Sequence, residues 1–173
     1  LKTQNKLKAI FNVESNFMNN MDYEYCFKNN IHVLATSPVF AQPVAEMALG
    51  LTLSIARSIH IAHHDFTKGK EKYGGEISKN NFLLKDKTFG LIGFGDLAKA
   101  TLPLIKAFSN NILAYDPWIL DSVIKSKKVI PTSLNNILKK SDIVYVYATS
   151  TTTNKEMIKL KNLNLLKDSS VIL

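Results

Sequence analysis

A glycine-rich turn between a predicted strand and a predicted helix carries the strongest chemical signal in this sequence. Residues 90–98 read Gly-Leu-Ile-Gly-Phe-Gly-Asp-Leu-Ala. Gly93 permits a tight turn, Gly95 lets the backbone approach a diphosphate without a Cβ in the way, and Ala98 allows the helix to pack closely on the strand. Free N–H groups and the dipole at the start of the helix favour an anion there. The turn therefore predicts a binding site for the diphosphate of a dinucleotide.

An acidic residue follows the turn at the spacing that a dinucleotide site requires. Asp116 comes directly after the apolar segment 112–115, about 20 residues beyond the glycines. A carboxylate there accepts hydrogen bonds from the adenosine ribose hydroxyls and repels a 2′-phosphate. The next residues, Pro117 and Trp118, provide no arginine that could neutralise such a phosphate. The pattern predicts NAD as the cofactor rather than NADP.

Two alternatives stay open for these residues. The glycine turn can be purely structural, and Asp116 can serve only to begin a turn before Pro117. Asp96 also counts against tight binding, because its carboxylate suits the helix dipole when the site is empty but lies near the expected diphosphate.

Composition indicates an ordinary globular protein and argues against dedicated nucleic-acid recognition. The chain has 173 residues, of which 46% are hydrophobic and 21% charged, and its net charge is +8. Only Arg57 among the 22 basic residues is an arginine. Lysine is a hydrated point charge that reads bases and phosphates less well than arginine does. We therefore expect no nucleic-acid partner.

We also expect a reduced, cytoplasmic protein with no membrane partner. Cys26 is the single cysteine and cannot form an internal disulfide. The most apolar window, 44–56, is about 13 residues long, whereas a membrane helix needs about 20. Because Glu46 interrupts this window, it predicts a buried helix.

Weaker candidates for chemistry lie near the centre of the chain. His60 and His64 can share one helical face, as metal ligands do. Beyond Asp65, no cluster of cysteine or carboxylate residues accompanies them, so we expect a solvated helix end and no metal site.

Short apolar runs alternate with helical segments along the chain. We predict strands at 9–13, 31–34, 88–92, 112–115, 129–130, 143–147 and from 171 onward, and helices at 23–28, 44–60, 96–108, 134–139 and 157–166. Near-continuous apolar strands separated by helices are typical of a parallel sheet covered on both faces. The expected fold is α/β, with a Rossmann-type doubly wound parallel sheet that is incomplete at its C-terminal end.

This alternation also suggests three parts of the chain. Residues 1–40 form a smaller α/β part, and 41–62 form a helix that leads into the rest of the chain. Pro43 can open that helix, which apolar side chains cover on most sides, so we expect it to be buried between two bodies of protein. A polar hinge over 63–79 then begins the cofactor-binding domain, 63–173.

Several segments, in this order, resemble one enzyme family over nearly the whole chain. They read Pro-Val-Ala-Glu at 43–46, Leu-Ser-Ile-Ala-Arg at 53–57, Thr-Phe-Gly-Leu-Ile-Gly-Phe-Gly at 88–95, Leu-Ala-Tyr-Asp-Pro at 113–117 and Ser-Asp-Ile-Val at 141–144. The chain resembles the D-isomer-specific 2-hydroxyacid dehydrogenases, which include phosphoglycerate, glycerate and formate dehydrogenases. The resemblance implies an NAD-dependent oxidoreductase acting on a small 2-hydroxyacid or 2-keto acid.

The resemblance implies that residues 1–40 are the C-terminal part of the substrate (catalytic) domain and that 41–62 are the helix that crosses between domains. It also implies site residues. Those for the diphosphate are Gly93, Phe94, Gly95, Asp96 and Leu97. The resemblance implies that Asp116 binds the adenosine ribose. It also implies that the backbone of Ala148 and Thr149 flanks the adenine. The substrate-binding positions are Val13, Glu14 and Ser15, where the sequence lacks the glycines typical of the family.

No catalytic residue is assigned within the sequence. The family's catalytic arginine, glutamate and histidine fall later in the chain, so we expect them beyond Leu173 and expect this fragment to be inactive. Alternatives are a non-catalytic, NAD(H)-sensing binding module, as in corepressors of this fold, and another Rossmann enzyme similar to adenosylhomocysteine hydrolase. The crossing helix implies a homodimer for the full-length protein.

Overall fold

The computed structural model describes residues 6–13, 20–75, 79–149 and 154–173. The strands in these ranges are β1 (Ala9–Asn12), β2 (His32–Ala35), β3 (Phe89–Ile92), β4 (Ile112–Tyr115), β5 (Ile130–Pro131), β6 (Ile143–Val146) and β7 (Val171–Ile172). The helices are α1 (Tyr23–Lys28), α2 (Ser37–Ala56), α3 (Ile59–Thr67), α4 (Asp96–Lys106), α5 (Asp121–Ser126), α6 (Leu134–Lys140) and α7 (Leu160–Leu163).

The larger sheet has five parallel strands in the order β5-β4-β3-β6-β7. The chain starts at the central strand β3, moves outward through β4 and β5, and then returns to the other side of β3 as β6. Every residue of β3 is buried, as expected for a strand with helices on both faces. This order confirms the doubly wound parallel sheet that the sequence predicted.

A second, two-stranded parallel sheet pairs β1 with β2. Its core consists of Cys26, Ile31 and Val33. The carboxylate of Asp22 accepts the N–H of Tyr25 at 2.9 Å and so caps α1, which spans the predicted residues. The domain boundaries at 40/41 and 62/63 stay predictions.

The predicted start of the long apolar helix was wrong. Helix α2 begins at Ser37, with Pro38 in its first turn and Pro43 in its interior. A first-turn proline is tolerated because its missing N–H has no partner in the helix. The helix ends at Ala56, Ser58 adopts a left-handed backbone conformation, and α3 then occupies the beginning of the predicted hinge.

Helix α2 packs along α4 with one side only, so it is less buried than we predicted. Its buried residues are mostly small, which brings the two helices close together: Ala41, Ala45, Ala48, Thr52 and Ala56. In the described part of the chain, α2 is the one helix that is long enough, at 20 residues, and apolar enough to cross a membrane. This judgement rests on length and composition alone. The helix is thus longer than the apolar window of about 13 residues suggested. Core helices of water-soluble proteins also meet the criterion of length and composition.

Two tyrosine–threonine pairs join the helices to β6 and to the residue that follows it. The hydroxyls of Tyr145 and Thr52 lie 2.7 Å apart, and those of Tyr147 and Thr101 lie 2.8 Å apart. Because Thr52 already donates to the Ala48 carbonyl oxygen, Tyr145 is the donor in its pair. The two tyrosine rings stack, with centroids 5.7 Å apart. These contacts connect α2 to β6 and α4 to Tyr147, the first residue after β6.

The other differences from the sequence prediction are confined to short elements. Helix α5 was not predicted, and the helix predicted at 157–166 is reduced to α7. Strand β5 is a two-residue strand, offset by one residue from the predicted 129–130.

Replacing Gly90 tests the contact between β3 and α6. A Cβ at Gly90 falls against the Ser141 hydroxyl and the Ile137 side chain. We expect Gly90→Ala to lower the free energy of unfolding by about 1–3 kcal/mol through overpacking. Urea denaturation measures this change. Gly50→Ala is the control, because nothing lies within 4 Å of that Cβ; equal losses in both variants contradict the prediction.

Alkaline pH tests the buried Tyr145. Burial raises its pKa from 10.0 to about 12. Below pH 10 the phenol is neutral in both states. Between about pH 10 and pH 12 only the unfolded state loses the proton, so stability falls with rising pH by up to about 1.4 kcal/mol per unit.

We expect Tyr145→Phe to flatten this alkaline decline and to cost about 1 kcal/mol at neutral pH. Thermal unfolding across the pH range measures both effects. Tyr73→Phe is the control, because Tyr73 is exposed. An unchanged alkaline slope in Tyr145→Phe contradicts the prediction.

Candidate functional site

A cleft of about 580 Å³ lies at the carboxyl ends of β3, β4 and β6. The chain crosses from one half of the sheet to the other here, and open α/β sheets bind ligands at such a point. The residues that line the cleft are Ile92, Gly93, Gly95, Tyr115, Asp116, Pro117, Trp118, Tyr147, Ala148, Thr149, Asn154, Lys155 and Met157. Its volume is within the usual range for a small-molecule site.

Gly93 forms the turn that leaves β3. Its φ is +91°, and its N–H donates to the Tyr115 carbonyl oxygen at 2.8 Å. A Cβ here would lie 2.9 Å from both the Ala148 nitrogen and the Tyr147 carbonyl carbon. Since both neighbours are backbone atoms, only glycine fits. The turn therefore sits directly against the loop that follows β6.

Gly95 provides the opening that an anion needs. It is the N-cap of α4, no side chain caps this helix, and nothing lies within 4 Å of where its Cβ would be. The first N–H groups of a helix lack intrahelical acceptors and point toward such a space. Asp96 and Leu97 follow in the first turn. The backbone thus fits the diphosphate of a dinucleotide, which a Cβ at Gly95 would displace.

Asp116 organises the backbone around the cleft. Its Oδ2 accepts the N–H of Phe94 at 2.8 Å, and its Oδ1 accepts those of Trp118 at 2.9 Å and Ile119 at 3.2 Å. A carboxylate offers about four lone pairs. One on Oδ2 therefore stays available for a ribose hydroxyl. The turn-forming alternative and the ribose-binding prediction are compatible, and the ribose contact stays a prediction.

Phe94 does not present its N–H to the cleft. That N–H is bonded to Asp116, and the ring is fully buried in the main core. The N–H thus already has an acceptor in this structure, and the diphosphate contact of Phe94 stays a prediction. The residue secures the glycine turn to the strand end that carries Asp116.

Asp96 lies at the start of α4, where its carboxylate Oδ2 accepts a hydrogen bond from the Ser37 hydroxyl at 3.2 Å. Ser37 is the first residue of α2. The negative charge thus stands at the helix terminus that we assign to an anion. The bond also joins the N-terminal ends of the two packed helices.

The predicted substrate positions lie away from this cleft or outside the described residues. Val13 is exposed after β1, and its carbonyl oxygen accepts the Thr36 hydroxyl at 2.6 Å. Glu14 and Ser15 lie outside the described residues. Arg57, at the C-cap of α2, does not line the cleft.

No metal site was predicted at the histidines. The described residues contain no group of three or more His, Cys, Asp or Glu side chains arranged to hold a metal ion. His60 contacts the Ser54 carbonyl oxygen and hydroxyl instead.

Eight residues that line the cleft were not among the predicted site residues: Ile92, Tyr115, Pro117, Trp118, Tyr147, Asn154, Lys155 and Met157. Trp118 stands two residues after Asp116, and its position there was the available signal. Lys155 and Met157 come from the segment after β6 and approach Asp116 only through the fold. No spacing rule connects them to the glycine turn.

Comparison with known proteins identifies the family. Residues 49–173 match the family model described as "D-isomer specific 2-hydroxyacid dehydrogenase, NAD binding domain". The chain belongs to the D-isomer-specific 2-hydroxyacid dehydrogenase family, and the matched residues are an NAD-binding domain. The resemblance is confirmed, and so is NAD as the cofactor of the domain; the preference for NAD over NADP stays a prediction.

Individual relatives agree with this assignment. The chain is 31% identical over 155 residues to hydroxypyruvate reductase of Thermotoga maritima, covering 90% of this chain and 49% of that protein. The crystal structure of a phosphoglycerate oxidoreductase from Rhizobium etli is 36% identical, with a TM-score of 0.79, over 96% of this chain and 56% of that one.

A second solved structure supports the same family assignment. Aquifex aeolicus D-lactate dehydrogenase, in complex with NAD and lactic acid, is 26% identical, with a TM-score of 0.80, over 96% of this chain and 49% of that one. The chain therefore spans about half the length of these relatives.

Paired glycine variants test the diphosphate position. We expect Gly95→Ala to weaken NAD binding at least tenfold while changing stability by less than about 0.5 kcal/mol, because its Cβ enters open space. Gly93→Ala should instead lower stability by about 1–3 kcal/mol, through its positive φ and the backbone contact. Calorimetric titration and urea unfolding measure the two effects. Unchanged NAD affinity in Gly95→Ala contradicts the assignment.

Neutralising Asp96 tests its effect on the cofactor. Asp96→Asn keeps an acceptor for Ser37 and removes a negative charge at the anion position. We expect NAD affinity to rise about fivefold, equivalent to about 1 kcal/mol of relieved repulsion. Calorimetry at low salt measures it. Asp121→Asn, at the start of α5, is the control. A lower NAD affinity in Asp96→Asn contradicts this prediction.

Proposed function

We propose that this chain is the cofactor-binding part of an NAD-dependent dehydrogenase for a small D-2-hydroxyacid. The carrying observation is the cleft in which the uncapped N terminus of α4, Gly95 and Asp116 meet. The names of the relatives support the substrate class, because they act on hydroxypyruvate, phosphoglycerate and D-lactate.

In the proposed reaction the acid loses hydrogen from C2. Bound NAD supplies a hydride acceptor at nicotinamide C4. The C2–H bond breaks, its electron pair leaves as hydride, and the hydroxyl proton goes to a base, which leaves a 2-keto acid. Gly95 and the first turn of α4 hold the diphosphate. The Asp116 carboxylate accepts a hydrogen bond from a ribose hydroxyl, and the backbone at Ala148 and Thr149 flanks the adenine.

We further propose that groups outside this chain complete the catalytic set. No histidine or arginine lines the described cleft, whereas proton transfer and carbonyl polarisation call for such groups. We therefore expect residues 1–173 alone to bind NAD without turnover. Enzyme-like oxidation of any 2-hydroxyacid by this chain contradicts that expectation.

The complete protein provides the decisive experiment. We expect it to reduce NAD with D-2-hydroxyacids and not with their L-isomers, measured by NADH absorbance. Asp116→Asn is the site variant, and Asp168→Asn is the control, because Asp168 does not line the cleft. Saturable NAD binding with no turnover on any acid would favour the NAD(H)-sensing binding module.

We propose that the partner is a second copy of this chain, which docks on α2. Phe40, Val44, Met47 and Leu51 form an exposed stripe on that helix, about 100° from the buried stripe that faces α4. Met47 is 64% exposed. A contiguous apolar stripe of this kind marks an interaction surface, and a two-fold axis pairs it with itself.

A charge at the centre of this stripe tests the dimer. We expect the complete protein to have twice the chain mass by light scattering and Met47→Lys to reduce the mass to one chain. Leu160→Lys, at an exposed apolar position on α7, should remain a dimer. A monomeric complete protein at micromolar concentration overturns the proposal.

We also propose a cytoplasmic location. The buried, unpaired thiol of Cys26 suits a reducing compartment. Cell fractionation tests this, and recovery of the protein in a membrane or secreted fraction contradicts it.

A further inference from the structure

A pocket of about 280 Å³ lies between α4 and the C-terminal end of α5 and shares no lining residue with the cofactor cleft. We call it the lysine pocket, and three lysines and two apolar residues line it: Lys99, Leu102, Pro103, Lys106 and Lys127. The first four are spaced i, i+3, i+4 and i+7 along α4, so they share one face of that helix. Lys99 and Lys106 are therefore about 10 Å apart along the helix axis, with the two apolar residues between them.

The positive charges of the lysine pocket are not neutralised by acidic side chains. None of the ion pairs in the described part of the chain includes Lys99, Lys106 or Lys127. Lys106 is partly buried, and its Nζ donates to the Lys127 carbonyl oxygen at 2.7 Å. An ammonium group carries three N–H donors, so two remain for an incoming carboxylate. Because Lys106 is already held in place, less side-chain entropy is lost when an anion binds there.

Pro103 leaves a backbone acceptor beside these charges without its helical donor. Proline has no N–H, so the Lys99 carbonyl oxygen lacks the hydrogen bond that residue i+4 donates in a regular helix. Both residues line the lysine pocket. A peptide can supply the missing N–H, whereas a free carboxylate ion cannot. The backbone of α4 thus favours a peptide over a small anion.

The size and lining of the lysine pocket agree with a short peptide. Its volume is about half that of the cofactor cleft and suits one apolar side chain rather than a whole nucleotide. Nucleic acid fits less well, because single strands stack on aromatic side chains and arginine is the better phosphate reader. The described lining contains neither an aromatic residue nor an arginine.

We propose that the lysine pocket binds an acidic segment of a partner protein. One apolar side chain of the segment packs on Leu102 and Pro103, and carboxylates on either side of it contact the three lysines. The net charge of +8 attracts acidic partners in general, and the pocket supplies the place where one is held. This interaction is independent of the proposed dehydrogenase activity.

Peptide titration of the complete protein tests this surface. The probe is a fluorescein-labelled peptide, Glu-Glu-Leu-Glu-Glu, and we expect its anisotropy to rise saturably. Replacing the leucine of the peptide with serine should weaken binding about tenfold, because the apolar contact is lost. Absence of saturable binding overturns the proposal, as do equal affinities of the leucine and serine peptides or tighter binding of a labelled oligothymidine.

Charge reversal tests where the peptide binds. We expect the double variant Lys99→Glu, Lys127→Glu to weaken peptide binding about tenfold. The matched control is Lys139→Glu, Lys140→Glu, which makes the same change in net charge at exposed positions of α6 outside the pocket. The control should keep its affinity within about twofold, and circular dichroism verifies that both variants fold. Equal losses of affinity in the two variants indicate non-specific attraction and overturn the proposal.

Discussion

The contact between the turn after β3 and the loop after β6 is the constraint on which the site depends. Gly93 lies so close to the Tyr147–Ala148 peptide that no side chain fits between them. This approach brings the ends of two neighbouring strands together, and Gly95, the N-cap of α4, lines the cleft beside them. An anion site made of backbone needs such rigid support, because its donors have no side-chain freedom to compensate for a shift.

One carboxylate, that of Asp116, holds the backbone of the site in place and is also the proposed acceptor for the ribose. Its hydrogen bonds fix the glycine turn on one side and the Trp118 turn on the other. The tyrosine–threonine pairs add further support, because they hold β6 to α2 and hold Tyr147, the residue after β6, to α4. The walls of the cleft are therefore fixed by hydrogen bonds as well as by apolar packing.

Much of the fold was predictable because its elements carry local signals. The strands of the large sheet are short apolar runs, and the glycine turn marks where β3 becomes α4. The two prolines of α2 did not determine where the helix starts, because either residue can occupy a first turn. In the structure Pro38 lies in the first turn and Pro43 lies inside the helix. Helix α5 was missed because its six residues have too few apolar positions for a clear period.

The sequence by itself determined the class of fold, the diphosphate turn and the acidic residue after β4. These features depend on residues that are close in the chain and on backbone geometry that only glycine allows. Only the tertiary structure decided that the Phe94 N–H donates to Asp116, and that Lys155 and Met157 line the same cleft as Trp118. The physical reason is that hydrogen-bond partners and cleft walls are set by the distance between strand ends, which the order of residues along the chain does not contain.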